Sequence, residues 1–124
     1  MSKFLYKKGG IIINYLSNAF SLNMLNIDHR DMTCTFNPIN ACDVPQDCIS
    51  VVGHPDTANV ISSVLGREVA FNRCDLKIDD GDVLYVAQYV GPRLPEGTTE
   101  LPEGAEIKFF RVIPFPLYKY FMPI

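Results

Sequence analysis

The 124-residue chain has no apolar run long enough to cross a bilayer: its richest stretch, Val83 to Val90, falls far short of the roughly 20 residues a spanning helix needs. A transmembrane helix is excluded. Basic residues are also in short supply, 11 Lys and Arg against 14 Asp and Glu, for a formal net charge of -3. Binding to long nucleic acid relies on a broad basic face and counterion release, so this balance argues against it. Any anionic ligand has to be met by a local pocket. The four cysteines, Cys34, Cys42, Cys48 and Cys74, form no C-x-x-C pair, and only His29 and His54 stand beside them. A zinc site is therefore not expected, and free, mostly buried thiols are. Glycine-rich P-loop, G-x-S-x-G and H-E-x-x-H patterns are all missing. The start, MSKFLYKKGGIII, sets lysines before isoleucines, but Asn14 breaks the apolar block and no small-residue cleavage site follows. A cytoplasmic protein is expected.

What is present is one ordinary domain. Hydrophobic residues make up 48% and charged residues 20%, which fits neither a disordered chain nor a coiled coil. Ile11 to Leu16 reads as a buried strand after Gly9 and Gly10, Ser21 can cap a short helix over Leu22 to Leu25, and Met32 to Phe36 alternates as a second strand ended by Asn37 and Pro38. The segment Asn40 to Cys48, interrupted by Pro45, holds at most one helical turn, and Ile49 to Val52 runs apolar into Gly53.

The clearest local signal is GHPDTANVISSVLG, where Asp56 or Thr57 can cap a helix with Val60, Ile61, Val64 and Leu65 on its apolar side and Gly66 as its stop. Arg73 to Ile78 and Val83 to Val90 read as strands of a hairpin joined by Asp79, Asp80, Gly81 and Asp82. That acidic cluster lacks the full twelve-residue calcium-loop pattern and is read as turn chemistry. LPEG occurs at Leu94 and again at Leu101, marking a turn-rich loop before a last strand from Ala105 to Ile113. The tail PFPLYKYFMPI is too rich in proline for a helix and too apolar to float freely. The division is residues 1–10 as an extension, 11–113 as the domain and 114–124 as the tail. The fold class is α+β, one mixed sheet of about five strands flanked by helices.

Candidate chemistry gathers at few places. His54 precedes the capped helix, whose unpaired N-terminal amides and dipole attract an anion such as phosphate. A lone histidine is more often structural than catalytic. His29, among Asp28, Arg30 and Asp31, reads as a solvated surface residue. Arg93, held between Pro92 and Leu94 with Glu96 three residues on, is either half of a local ion pair or a phosphate-binding arginine oriented by a carboxylate. Gln88 shares a strand face with Leu84, Val86 and Val90, where a buried amide needs a partner in the core or on a ligand. Arg73 opens a strand and either pairs at the surface or serves a ligand.

Four separated motifs, LSNAFSLNML, GHPDTANVISSVLG, Asn72 with Arg73, and QYVGPRLPEG, together resemble the viral ring nucleases that act as type III anti-CRISPR proteins. The likeness runs in order from about Ile11 to Val112. It implies a mixed sheet flanked by helices, assembled as a two-fold homodimer with the ligand cleft across the interface. The implied substrate is cyclic tetra-adenylate, the messenger with which type III CRISPR complexes switch on defence nucleases. The implied catalytic residues are His54, Arg93 and Glu96, and the implied substrate-binding residues are Asn18, Ser21, Asn23, Thr57, Arg73 and Gln88. No cofactor or metal is implied. Pro55 and Asp56 depart from the family pattern, which has an acidic and a small residue after the histidine. The mechanism would have a ribose 2′-hydroxyl attack the adjacent phosphorus while His54 protonates the departing 5′-oxygen, giving linear di-adenylates with 2′,3′-cyclic phosphates. An imidazole suits that work because its ordinary pKa of about 6.5 leaves a useful fraction protonated near neutrality. Two rivals stay open: a sponge that holds the cyclic nucleotide without cutting it, and a module that blocks a host protein through the apolar tail.

Overall fold

A computed structural model describes residues 12–26 and 31–116; His29, the extension at 1–10 and the tail beyond 116 lie outside it. Among the described residues five strands make one mixed sheet: β1 (Asn14–Ser17), β2 (Met32–Ile39), β3 (Ile49–Ser50), β4 (Val83–Val90) and β5 (Glu106–Pro116), in the spatial order β2-β5-β4-β1-β3. β1 runs parallel to both β3 and β4, while β5 is antiparallel to β4 and β2. The expected α+β class and mixed sheet are borne out.

Helix α1 (Pro55–Leu65) connects the region of β3 to that of β4 and covers one sheet face. Leu16, Tyr85, Ala87 and Phe109 from that face close on Val52, Ala58, Ile61 and Val69. On the other face Tyr15, Leu84, Val86 and Val112 meet Leu25, Val51, Leu76 and Ile78. Leu84 to Ala87 are consequently all buried, and the unbroken apolar run of β4 is that of a strand covered on both sides.

Four local readings need correction. β1 begins at Asn14, and Ile12, expected inside a buried strand, is exposed. Arg73 to Ile78 is not a strand: it makes isolated parallel bridges only, Val52 with Phe71 before it and Leu25 with Ile78 at its end. It packs across the sheet face through Leu76 and Ile78, so β4 takes β5 and β1 as partners and makes no hairpin with this segment. The turn chemistry itself holds, with the Asp82 carboxylate accepting from the Asp79 N–H at 2.8 Å and Gly81 at φ 95. Asn37 and Pro38 do not end β2, which continues to Ile39. Proline lacks a ladder donor but sits without cost on an outermost strand, and β2 is one. Likewise β5 passes Ile113 and runs to Pro116 against β2.

The four thiols are free, and none is fully buried: Cys42 is exposed and Cys34, Cys48 and Cys74 are half-buried. Cys48 has its pKa pushed up to about 11 by burial, with Asp47 adding to the shift and Arg67 opposing it. Among the described residues no helix is long and apolar enough to cross a membrane.

Candidate functional site

All three mutually parallel strands release the chain at the same end of the sheet. Asn18 follows β1, the Gly53 and His54 corner follows β3, and Gln88 to Arg93 closes β4 and enters the loop at 91–105. In sheets with parallel strands this end is where ligand clefts are built, because the chain there turns away and leaves a crevice. The corner is tied down by Asn18, whose Oδ1 accepts from the Gly53 N–H at 3.1 Å. Gly53 lies under Arg73: a Cβ placed on it would stand 3.6 Å from Arg73 Cγ, so the stem of the exposed Arg73 packs over the residue before His54, although Arg73 lines neither of the two cavities described below.

His54 itself is the N-cap of α1, two to three positions earlier than expected. Pro55 explains the difference, since its fixed φ suits the first helical position and it has no N–H to leave unsatisfied. The His54 Nδ1 accepts from the Thr57 N–H at 3.3 Å, and Thr57 Oγ1 stands at the same distance from that nitrogen. This capping also narrows the expected phosphate seat. Pro55 offers no donor and the Thr57 N–H is engaged, so the helix end presents at most the Asp56 amide, beside a carboxylate. Positive charge for a phosphate has to come from side chains.

Those side chains are close at hand. His54, Pro55, Asp56, Thr57, Tyr89, Gly91, Arg93, Leu94, Pro95 and Glu96 line one cavity of about 800 Å³. The three expected catalytic residues thus share a wall, although His54 lies 39 positions before Arg93 and 42 before Glu96 in the chain. Asp56 Oδ1 accepts from the Gly97 N–H at 3.2 Å and so links the first turn of α1 to the loop carrying Arg93 and Glu96. Gly97 at φ 87 lets the chain turn there.

A second cavity of about 500 Å³ adjoins the first through Thr57 and Tyr89, which line both. Asn18 and Gln88 supply its amides, and Phe20, Phe36, Phe110, Val86 and Val112 its apolar surface. Gln88 is exposed and not a buried amide in need of a core partner, because the strand face it shares with Val86 opens into this cavity. Phe20 and Phe36 stand edge to face, ring centroids 5.4 Å apart, and Phe36 remains exposed. A flat heterocycle with polar edges fits such a lining.

Ser21 and Asn23 are not brought to either cavity. Ser21 accepts from the Asn23 N–H at 3.2 Å to cap the 3-10 turn Leu22–Met24, and both residues line a separate recess with Cys74, Asp75 and Lys77. Tyr89 is the residue that sequence reasoning passed over: it lies between the two cavities, and its hydroxyl donates to the Pro92 carbonyl at 2.6 Å. Its place directly after Gln88 in QYVGPRLPEG was the available signal. Among the described residues no group of three or more His, Cys, Asp or Glu side chains is gathered to hold a metal.

Comparison with known proteins agrees with this architecture. No curated protein matches the sequence. Among solved structures the fold is similar to B116 of Sulfolobus turreted icosahedral virus (STIV), with a TM-score of 0.66 and 25% sequence identity, covering 82% of this chain and 98% of that one. The family model described as STIV B116-like matches residues 14–111, a span holding every motif that carried the viral resemblance. The chain belongs to the STIV B116-like family.

Proposed function

We propose that this protein is a metal-independent ring nuclease that binds cyclic tetra-adenylate across a homodimer cleft and cuts it to linear di-adenylate ending in a 2′,3′-cyclic phosphate. The observation that carries the reading is the convergence of His54, Arg93 and Glu96 on one cavity next to an aromatic recess with amide edges. An adenine has the shape and polar edges for that recess, and the adjoining cavity would receive its phosphodiester.

The ribose supplies the nucleophile, so the reaction needs no activated water and hence no metal to make one. The 2′-hydroxyl oxygen bonds to phosphorus as the bond to the 5′-oxygen breaks. His54 gives its proton to that departing oxygen, and Glu96 is the carboxylate available to take the 2′-hydroxyl proton. Arg93, joined by Arg73, offsets the charge that gathers on the phosphoryl oxygens. A four-fold ring contains a two-fold axis, so two protomers would present the same groups to opposite phosphodiesters. Destroying the messenger in the host cytoplasm would silence type III CRISPR signalling.

Incubation of the purified protein with cyclic tetra-adenylate in EDTA, followed by chromatographic separation of the products, tests the proposal. The expected result is di-adenylate with a cyclic phosphate end. Retention of an intact ring on the protein would replace the enzyme with a sponge, and neither binding nor cleavage would favour the interaction module.

A further inference from the structure

We infer that Thr57 is a positioning residue for the His54 imidazole, through a hydroxyl that can serve both protonation states of the ring, and not the substrate contact that the motif likeness implies. The inference rests on the ring-nuclease reading for its catalytic consequence but on hydrogen-bond chemistry for its origin. A backbone N–H can only donate, so the 3.3 Å bond from the Thr57 N–H requires a bare lone pair on Nδ1. The neutral ring then carries its proton on Nε2, the nitrogen left for the cavity.

A general acid has to be the imidazolium, with protons on both nitrogens. The Nδ1–H of that form would point at the Thr57 N–H, two donors facing each other, and the cap would be lost. Thr57 Oγ1, also 3.3 Å from Nδ1, resolves the conflict because a hydroxyl donates or accepts as it rotates. It donates to the bare Nδ1 of the neutral ring and accepts from the Nδ1–H of the charged one. When Nε2–H passes to the 5′-oxygen, the ring is left as the Nδ1–H form still held on Oγ1, and proton uptake at Nε2 restores the acid. The other charged or titratable groups around the ring are Asp56 on α1, Tyr89 on β4, Arg93 and Glu96 on the following loop, and Arg73 over Gly53. None of these makes a hydrogen bond to Nδ1 in the structure, whereas Thr57 makes both.

The test compares Thr57→Val, which keeps shape and backbone N–H but loses the hydroxyl, with Thr57→Ser, which keeps it. Nitrogen-15 NMR of the imidazoles, assigned with the aid of a His29→Gln variant, reads tautomer and ring N–H exchange without substrate. The expected form of the neutral ring is Nε2–H, and in acid the Nδ1–H of the charged ring should exchange with solvent faster in Thr57→Val, which lacks its acceptor, than in wild type. In single-turnover cleavage Thr57→Val should lose about tenfold or more in rate with substrate affinity within about twofold, and Thr57→Ser should recover most of it. A wild-type Nδ1–H tautomer, or Nδ1–H exchange unchanged in Thr57→Val, overturns the inference. So does weakened substrate binding at an unchanged rate, which would return Thr57 to the ligand contacts. Should wild type not cut the ring, the functional reading fails, and the NMR comparison alone decides the role of Thr57.

Discussion

His54 does two things at once in this structure, and substitution can separate them. It caps α1 through Nδ1, and it faces the cavity it shares with Arg93 and Glu96. Removing a helix cap costs about 0.5–2 kcal/mol, and a bond of 3.3 Å belongs in the lower half of that range. For 124 residues the unfolding entropy near the midpoint is roughly 0.26 kcal/mol/K, so a loss of about 0.5–1 kcal/mol lowers Tm by about 2–4 °C. His54→Ala should therefore melt about 2–4 °C below wild type and lose about 10² to 10⁴ in cleavage rate. His54→Asn should lose the same rate but keep its Tm, because asparagine is among the best N-caps and has no proton to give near neutrality. Calorimetry and single-turnover product analysis on the same preparations provide the two readouts. Equal destabilisation by Asn and Ala would refute the capping argument, and full cleavage by either variant would refute the general-acid role.

Gly91→Ala should destabilise the cavity mouth by about 1–3 kcal/mol in urea titrations, because a Cβ there would meet the Ala105 Cβ at 2.7 Å and the Tyr89 hydroxyl at 2.9 Å; an unchanged midpoint would contradict that packing. Burial first, and Asp82 and Asp79 after it, push Tyr15 up to about 12. Its folded value lies above the unfolded 10.0, so its contribution to stability is complete below pH 10 and fades as pH rises towards about 12; urea midpoints flat across that window would count against it. Asp56→Ala removes the acceptor for the Gly97 N–H, so exchange of that amide should speed up while α1 amides stay protected; an unaltered Gly97 exchange rate would mean that the loop is held by other contacts. Sedimentation without ligand should give a dimer mass under the shared-cleft proposal, and a monomer that cuts the ring at full rate would end it.

Much of this protein was legible from local pattern. The helix at 55–65 announces itself through its apolar spacing and Gly66, which adopts φ 73 at the C-cap, although its cap is His54 and not Asp56 or Thr57. The Ser21 cap, the Asp79 to Asp82 turn and the run of β4 follow in the same way from side chains acting on backbone within a few residues. The four motifs led to the family that the comparisons then showed. The strand assigned to Arg73 to Ile78 went wrong because two apolar residues lying across a sheet face look, in sequence, like two residues belonging to a sheet. Pro38 misled for a related reason: whether a proline stops a strand depends on whether a neighbour needs its missing donor, and only strand order answers that.

The sequence by itself determined helix α1, the run of β4, the class of fold and which residues are chemically able to handle a phosphodiester, since propensity, capping and side-chain chemistry are properties of short stretches. Only the tertiary structure decided that His54 shares a wall with Arg93 and Glu96, that Arg73 lies over Gly53, that Ser21 and Asn23 face another recess, and that Tyr89 joins two cavities. Those relations arise where three parallel strands end side by side. Pairing across a sheet joins residues by register and strand order, and neither is written in the spacing of any single segment.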